Sequence, residues 1–521
     1  MKTSNYSHKS YDGGHNDSVS AQELERNEGN PVQNWCIQTK GKLTRRKGLT
    51  PIGNTLTGVA EGLHAYLRAD GGKDLLVMDD GSLKYLNGTS FTTLDSGFTK
   101  GNLFWMENCP INNKVYISNE DNTTHSWDRA GTVLNACLND YGTTKYQANV
   151  LRWHKNHMFF LNNLTAGGIV YKNSIGWSAM NDPETHDTVN DRIEIPGNGR
   201  VITAIDQGNV LVIFKERSIQ FLSGWGDTSW QITASASNVA NLSEQVGCIA
   251  PRGATRVGNE IWFIDDEANI RKIYQTDFDA YRNDIISTKL KTTIAGFNIA
   301  QLSKAVAWTN GDHVYFAVPD GSSTVNSIVL AFDILASKRN GLAEAWEVIR
   351  GWSPRLMIDY YPSSVPVLYM ADATSKKIYS HAGTNDDDVA ITAIWTGKDD
   401  DYDKPDNYKR YRFGYLNAES GSGNIDVDMY ASVDYASFAK IGTVNLLGIG
   451  STLGPTGTGT LGPTGTFILG GNGKAEEKFY YTNGGGTPTG KSIRHSIRHA
   501  VISEQPTVST YTSHFKTKPV R

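Results

Sequence analysis

The residues best suited to do chemistry in this sequence are clustered carboxylates, and one cluster contains Asp399, Asp401 and Asp403. They occupy positions 1, 3 and 5 of a spacing typical of a calcium-binding loop, in which carboxylate oxygens bind the cation. Such a loop also needs a glycine at position 6 and a glutamate at position 12, but these positions hold Lys404 and Arg410. The incomplete pattern favours a solvated turn, so the sequence predicts no metal site.

The sequence lacks the catalytic motifs Gly-x-Ser-x-Gly and His-Glu-x-x-His. His154, His157 and His313 lie in or beside hydrophobic segments, where core or channel-lining histidines are more common than ligands. We therefore predict that the protein is not an enzyme and binds no cofactor. A glycosidase is the less favoured alternative, because a pair of carboxylates from distant parts of the chain leaves no local pattern.

Two basic groups are candidates for contact with a partner. Their residues are Lys42, Arg45, Arg46, Lys47, Arg494 and Arg498. The first four form a compact cluster, which is either a solvated turn or a docking surface for an acidic partner or a nucleic-acid backbone. The last two alternate with His495 and His499, so in a strand the two arginines share one face and the histidines the other.

An apolar insertion at 441–472 is a further candidate for contact. It carries no charge and repeats Leu-Gly-Pro-Thr-Gly-Thr twice. Leu453, Leu461 and Phe467 are among many apolar residues, a composition that is atypical of a solvent-exposed linker. We predict that the insertion packs on a neighbouring subunit; a flexible loop is the alternative.

These residues must be positioned by a repeated element. A turn-type residue followed by a short hydrophobic segment recurs seven times, at 74–78, 113–117, 156–160, 209–213, 259–263, 312–316 and 365–369. The spacing is about 40 residues at first and about 50 later, the period of propeller blades. Each segment is too short for a buried helix and is rich in β-branched and aromatic residues, as in an inner strand. The sequence predicts an all-β fold with a β-propeller of about seven blades, with six or eight possible.

The pattern divides the chain into three regions. We predict an N-terminal arm and hairpin at 1–57, the propeller at 58–395, and a C-terminal β-domain at 396–521 that contains the insertion. The first thirty residues are polar, and we expect a mobile arm that orders only against a partner. In the last region Ile425, Val427 and Met429 alternate with polar residues, which indicates half-buried strands of a β-sandwich.

Composition excludes some classes of protein. The net charge is −4, so no bulk attraction to nucleic acid is expected. No apolar run approaches the ~20 residues of a membrane span, and the N-terminus lacks the hydrophobic core of a secretory signal. The four cysteines have no Cys-x-x-Cys spacing, which favours free buried thiols; a disulfide between distant positions is the alternative.

The two ends of the chain resemble the tail-hub proteins of short-tailed bacteriophages, also called packaged-DNA stabilisation or nozzle proteins. The opening of that family carries Gly-x-Leu-x-x-Arg-x-Gly, which Gly41, Leu43, Arg46 and Gly48 match, with Lys47 where proline is usual. The segments 403–434 and 490–499 are similar to the C-terminal β-domain of such virion proteins.

The resemblance implies a β-propeller that assembles as a homo-oligomeric ring, typically a hexamer, below the portal and its adaptor. The ring would line or close the channel through which double-stranded DNA leaves, without sequence-specific binding, and would anchor tail fibre or needle proteins. Such a protein is made in the host cytoplasm and resides in the virion. The alternative is a carbohydrate- or receptor-binding propeller, in which Trp225, Trp230 and Trp352 stack on sugars.

Overall fold

The structure is a computed structural model. It describes residues 3–38, 41–129, 135–136, 145–224, 230–234, 245–275, 281–341, 343–420, 425–446, 474–481 and 487–518. Within these residues, antiparallel strands form seven four-stranded blades of a β-propeller, followed by a β-sandwich. The predicted fold class and the expected number of about seven blades are confirmed.

Each blade runs from a first strand at the centre to a fourth strand at the rim. Blade 1 contains Ala60–Leu67, Lys73–Asp79, Ser82–Asn87 and Ser90–Ser96. Blade 2 contains Trp105–Cys109, Lys114–Ser118, His125–Trp127 and Asn135–Ala136. Blade 3 contains Val150–His154, His157–Leu161, Ser174–Trp177 and Arg192–Glu194, with an inserted hairpin of Leu164–Ala166 and Ile169–Tyr171. Blade 4 contains Val201–Gln207, Val210–Lys215, Ile219–Ser223 and Gln231–Ala234.

The remaining blades follow the same order. Blade 5 contains Ala254–Val257, Glu260–Ile264, Ile270–Gln275 and Tyr281–Ile285. Blade 6 contains Val306–Thr309, His313–Val318, Ile328–Asp333 and Trp346–Arg350. Blade 7 contains Pro354–Tyr360, Val367–Asp372, Ile378–His381 and Leu49–Ile52. Short helices lie between some of these strands: α1 (Lys291–Ala295), α2 (Ile334–Arg339) and the 3-10 helices Thr288–Leu290 and Ile299–Lys304.

The propeller is a closed ring. The first strands of neighbouring blades contact one another around the centre, and Pro354–Tyr360 of blade 7 contacts Ala60–Leu67 of blade 1. The fourth strand of blade 7 is Leu49–Ile52, which pairs with Ile378–His381. A strand that precedes residue 58 therefore completes the last blade, and main-chain hydrogen bonds hold the two ends of the propeller together.

The seven hydrophobic segments of the sequence fall on the second strands of the seven blades. In blade 1, for example, Leu75, Leu76, Val77 and Met78 are all fully buried. Neighbouring blades cover both faces of such a strand, so it reads as a continuous hydrophobic run rather than an alternating one.

The C-terminal part is a sandwich of two sheets, as predicted. In spatial order, one sheet contains Lys474–Tyr480, Tyr408–Ser420, Pro506–Lys518, Lys42–Arg45 and Trp35–Gln38, and Thr489–Gly490 pairs with Tyr408–Ser420. The other sheet extends blade 6 beyond Trp346–Arg350 with Val32–Gln33, Ala393–Asp400, Ile493–His499, Ile425–Val433 and Ala439–Leu446. Buried side chains including Trp35, Trp395 and Phe515 fill the space between the sheets.

The N-terminal segment is part of the fold, so the expectation of a mobile arm is wrong for its described residues. Thr3–His8 pairs with Pro506–Lys518, and Gly14–His15 pairs in parallel with Glu28–Gly29. Leu24 is fully buried. Composition predicted disorder because the segment is polar, but its main chain and a few apolar side chains find partners supplied by the far end of the chain.

None of the helices described is long and apolar enough to cross a membrane. Cys36, Cys109 and Cys248 are free thiols, as favoured by the sequence, while Cys137 lies outside the described residues.

Candidate functional sites: the seam and the central channel

The Gly-x-Leu-x-x-Arg-x-Gly stretch lies at the seam, by which we mean residues 32–38 and 41–52, the segments that join blades 6 and 7 to the sandwich. Leu43 is fully buried in the sandwich core. Gly41 has a φ of +69°, which favours glycine. At Gly48 an added Cβ would lie 1.9 Å from the carbonyl oxygen of Asn385, so a side chain cannot fit there. Each of these motif residues therefore has a structural role.

Arg46 is the centre of the seam. Its guanidinium donates to both carboxylate oxygens of Asp386, to Asn34 Oδ1 at 2.9 Å and to the carbonyl oxygen of Arg350 at 3.1 Å. It also stacks 4.9 Å from the ring centroid of Trp352. Only 2 % of Arg46 is exposed. One side chain thus links the N-terminal segment, the last strand of blade 6 and the loop after blade 7.

Arg45 is fully buried beside it, and its guanidinium donates to the carbonyl oxygens of Val501, at 2.9 Å, and Thr384. Burial lowers the pKa of Arg45 to about 10. The prediction that the basic cluster contacts a partner is corrected for Arg45 and Arg46, because both are inside the chain and bind groups of the same chain. Lys42 makes a half-exposed ion pair with Glu419 at 2.6 Å. Lys47 is exposed.

Arg494 and Arg498 share one face of the strand Ile493–His499, as predicted, and His495 and His499 are buried on the other face. Arg494 donates to the carbonyl oxygens of Gly397 at 2.9 Å and Asn30 at 2.7 Å. Arg498 stacks 4.1 Å from the ring centroid of Tyr430. Both arginines are half-buried and bind their own chain, so they stabilise the sandwich whether or not a partner covers them.

Several predicted contact residues lie outside the described part of the chain: Leu453, Leu461, Phe467 and Trp225. Trp230 and Trp352 are described, and both are buried. Trp230 packs edge-on against Phe159 at 5.3 Å. The suggestion that Trp230 and Trp352 stack on sugars is therefore wrong, because their rings are covered by neighbouring side chains.

The carboxylates of the acidic turn at 399–403 pair with a basic side chain of the same chain. Arg26 donates to Asp400 at 3.0 Å and to Asp403 at 2.9 Å. The side chain of Asp401 accepts from the backbone N–H of Asp403, as in an Asx turn. Asp399 is buried, and burial raises its pKa. The turn interpretation is supported for Asp401 and Asp403, while Asp399 belongs to the sheet.

The central channel of the propeller is divided by a tryptophan between arginines. Arg152 and Arg252 stack on the Trp105 ring at 4.5 and 4.4 Å from its centroid. Arg152 also pairs with Glu107 at 3.5 Å. Two cavities, of about 460 and 380 Å³, share Trp105, Arg252 and Val306 in their linings. These three residues form a partition, so the channel of one propeller is closed to a DNA duplex.

The larger cavity, which we call the mouth cavity, opens where the first strands begin and is basic. Its charged lining residues are Arg252, Arg355, Lys304 and Glu120. Glu120 is bound by the side-chain amides of Asn102 and Asn149, each at 3.0 Å. Within the described residues the Arg355 guanidinium donates no hydrogen bond.

Burial affects both arginines of the mouth cavity. It lowers the pKa of Arg252 to about 9, with the charge of Arg355 contributing, and it lowers the pKa of Arg355 itself. Two guanidinium groups in one partly buried cavity repel each other and have lost water. Such a site favours an anionic ligand, and a carboxylate matches the planar fork of arginine.

Sequence reasoning missed the mouth cavity. Arg252 lies just before the first strand of blade 5, and Arg355 is the second residue of the first strand of blade 7. Both arginines therefore lie near the start of a first strand, and this placement becomes visible only once the first strands are known.

The solved structures that are similar to this chain include a WD40 β-propeller domain. No protein-family model and no curated protein matches the chain. Among solved structures, the WD40 propeller domain of Doa1 is 8 % identical, with 64 % of this chain and 96 % of that chain covered at a TM-score of 0.40. YCF48 from Cyanidioschyzon merolae is 9 % identical, with 64 % and 98 % covered at a TM-score of 0.39. The protein is a β-propeller joined to a β-sandwich.

Proposed function

We propose that the protein is a structural component of a bacteriophage tail, a hub, nozzle or head-to-tail connector subunit. It forms a homo-oligomeric ring that lines or closes the DNA exit channel and anchors other tail proteins. It is made in the host cytoplasm and incorporated into the virion, and it is not an enzyme. The resemblance of the chain ends to tail-hub proteins suggests this function, and the seam supports it.

The observation that carries the proposal is the role of the matched motif in fixing the two domains to each other. Arg46 binds three separate parts of the chain, and the second sheet of the sandwich continues the sheet of blade 6. Sliding the domains past each other would break main-chain hydrogen bonds along that sheet. A ring subunit needs such rigidity, because the angle between its two contact surfaces sets the number of subunits.

One end of the propeller offers a candidate contact surface, which we call the loop surface and define by Leu67, Ile111, Met180 and Val365. These side chains are 43–63 % exposed. Leu67 is the last residue of a strand and the other three lie in loops, all at the same end of blades 1, 2, 3 and 7, opposite the mouth cavity. We infer that a neighbouring subunit covers these side chains. One apolar residue on each of four adjacent blades forms a continuous apolar band, whereas the exposed apolar residues of a free surface are usually isolated.

Hydrogen bonds between the loops hold this band together. Lys73 Nζ donates to the carbonyl oxygen of Ser363 at 3.0 Å, which connects blades 1 and 7. The backbone N–H of Ala69 donates to Asn113 Oδ1 at 2.7 Å, which connects blades 1 and 2. Preordered loops lose little entropy on association, which favours a stable contact.

DNA passage fits a ring of several subunits rather than one propeller. The Trp105 partition closes the channel of each propeller. The path for DNA is then the axis of the ring, surrounded by subunits with a net charge of −4 each. A weakly acidic surface releases few counterions from DNA, so it does not retain the duplex.

Native mass spectrometry of the full chain tests the proposal. We expect one ring species of defined stoichiometry, typically a hexamer, and cryo-electron microscopy of the virion should place the ring in the tail. A protein that stays monomeric at all concentrations and is absent from virions would contradict the proposal.

The mouth cavity favours a second function, that of a receptor-binding propeller for an acidic sugar. The unbonded guanidinium of Arg355 carries this alternative. A glycan array tests it: we expect binding to glycans that contain a uronic or sialic acid, and loss of that binding in Arg355→Gln. Arg410→Gln, a change at an exposed residue of the sandwich, is the control and should bind as the parent does. Binding that is equal for neutral and acidic glycans would exclude this function.

A further inference from the structure

Blade 6 contains a cluster of three ionisable side chains in its interior, next to the seam. His313 lies on the second strand, Asp333 on the third and Glu347 on the fourth. His313 is directly opposite Asp333 in the sheet, and Glu347 is opposite Ala331, two residues before Asp333. One nitrogen of His313 and one oxygen of each carboxylate all lie within 4.8 Å of one another.

The atoms that face one another in this cluster lack other partners. Asp333 Oδ1 accepts from the backbone N–H of Ala336, and Glu347 Oε1 accepts from that of Ile37. In the described part of the chain, His313 Nε2 and Glu347 Oε2 are buried without a hydrogen bond. Glu347 is 1 % exposed and Asp333 is 2 % exposed. Two carboxylates and an imidazole so placed are costly unless something compensates them.

A fourth group adjoins the cluster from the seam. The thiol of Cys36, on the strand Trp35–Gln38, lies next to Glu347. Burial raises the pKa of Glu347, of Asp333 and of Cys36, and lowers that of His313.

We propose that His313, Asp333 and Glu347 bind one zinc ion, with Cys36 as the fourth ligand. Zinc accepts nitrogen, oxygen and sulfur ligands in a closed four-coordinate site, whereas calcium and magnesium take six or more oxygens, often including water. The positive ion compensates the buried carboxylates and occupies the space between the unbonded atoms. The cluster lines neither cavity of the central channel.

The consequence of such a site is structural. Three ligands belong to blade 6 and the fourth to a strand of the sandwich sheet, so the ion fastens the N-terminal segment to the propeller. This adds to the contacts of Arg46, but it rests on different residues and does not depend on the proposed role in a phage tail. Zinc binding displaces protons from the carboxyl and thiol groups, which the solvent takes up.

Metal content is the first test. The full chain, without a histidine tag, is dialysed with excess ZnCl₂, freed of loose metal by gel filtration and analysed by plasma mass spectrometry. We expect one zinc per chain in the parent protein and almost none in Glu347→Gln or His313→Ala. The control is Glu61→Gln, which changes a buried carboxyl of blade 1 that accepts from the backbone N–H of Gly101 at 2.7 Å, and it should retain one zinc. Absence of stoichiometric zinc in the parent, or its retention in Glu347→Gln, would overturn the proposal.

Stability measurements separate loss of the ion from loss of the fold. Added ZnCl₂ should raise the unfolding temperature of the parent but not of Glu347→Gln. In metal-free buffer Glu347→Gln should be at least as stable as the parent, because it keeps an oxygen for Ile37 N–H and replaces a buried carboxyl by a neutral amide of similar size. A variant that is less stable than the parent without metal, together with a parent that zinc does not stabilise, would identify Glu347 as a hydrogen-bonding group only.

The fourth ligand has its own test. Cobalt bound by a thiolate has a strong charge-transfer absorption in the near ultraviolet, and we expect it in the Co²⁺-loaded parent but not in Cys36→Ser. Its absence from the parent would exclude Cys36 from the site.

Discussion

Replacement of Arg46 should loosen the closing strand of the propeller. Arg46→Met keeps much of the side-chain volume but removes five hydrogen bonds, two of them to the carboxylate of Asp386. Removing one partner of a buried ion pair costs about 3–5 kcal/mol. Because the side chain of Asp386 is 16 % exposed and can recover some water, we expect the lower end of this range, about 3 kcal/mol.

Hydrogen exchange measures this loss where it occurs. Unfolding of a chain with two domains need not be two-state, so a global midpoint would not report on the seam. Leu49–Ile52 follows Arg46 and pairs with Ile378–His381 through main-chain hydrogen bonds. A loss of about 3 kcal/mol in the free energy of local opening speeds exchange at these amides roughly 10²-fold, since 1.36 kcal/mol is a factor of ten.

Lys42→Met is the matched control, because it removes an ion pair with Glu419, which lies in the same sheet two strands away. The side chains of Lys42 and Glu419 are 26 % and 28 % exposed, and ion pairs this exposed contribute only about 0–1 kcal/mol to the free energy of unfolding. Exchange at Leu49–Ile52 should therefore change little. If Arg46→Met leaves exchange there within about threefold of the parent, less than 1 kcal/mol by the same conversion, the seam does not depend on Arg46 and our reasoning about it fails.

Three further predictions concern the ring, the mouth cavity and the sandwich core. Leu67→Asp combined with Ile111→Asp should convert rings to monomers in native mass spectrometry, whereas Ile299→Asp, a change at a 47 % exposed residue of the opposite end, should not. Arg355→Gln should weaken binding of D-glucuronate at least about tenfold in calorimetry without lowering the unfolding temperature, because its guanidinium donates no hydrogen bond in the described structure. Burial lowers the pKa of His8 and of His495 to about 3, so both are neutral in the fold and protonate in the unfolded chain below about pH 6.5. Stability should therefore fall as the pH drops from 7 towards 3, by about 2 kcal/mol per histidine at pH 5, and His495→Gln should reduce this fall in pH-dependent thermal unfolding; an unchanged pH profile would contradict the assigned burial.

The repeat was predictable from the sequence because a strand that is buried on both faces has a recognisable local pattern. The second strand of each blade is a short continuous hydrophobic run, of which Leu75–Met78 is typical. The closing strand was not predictable, because Leu49–Ile52 is short, partly exposed and contains a proline, and its partner Ile378–His381 is distant in the sequence. No local sequence pattern predicts a strand pairing that forms only when the ring of blades closes.

Charge patterning misassigned Arg45 and Arg46 for a related reason. A run of basic residues usually indicates a solvent-exposed segment. Here two of the four basic residues are buried, and they contact carbonyl oxygens and a carboxylate from distant segments. The sequence states which groups are charged, but the fold decides which of them lose water. His313 is the converse case: it was expected among core histidines and is largely buried, but its neighbours Asp333 and Glu347 come from two other strands.

The distribution of these surprises has a physical basis. Arg45, Arg46, the closing strand and the cluster of blade 6 all belong to the seam or adjoin it, where N-terminal, propeller and sandwich segments meet. A blade stabilises itself through neighbours close in sequence, so hydrophobic period is enough to specify it. A junction between domains has no period to repeat, and it gains specificity from polar groups that fit only one arrangement. In the proposed ring, this junction also sets the angle between the two contact surfaces of each subunit, and an error in that angle would recur at every subunit.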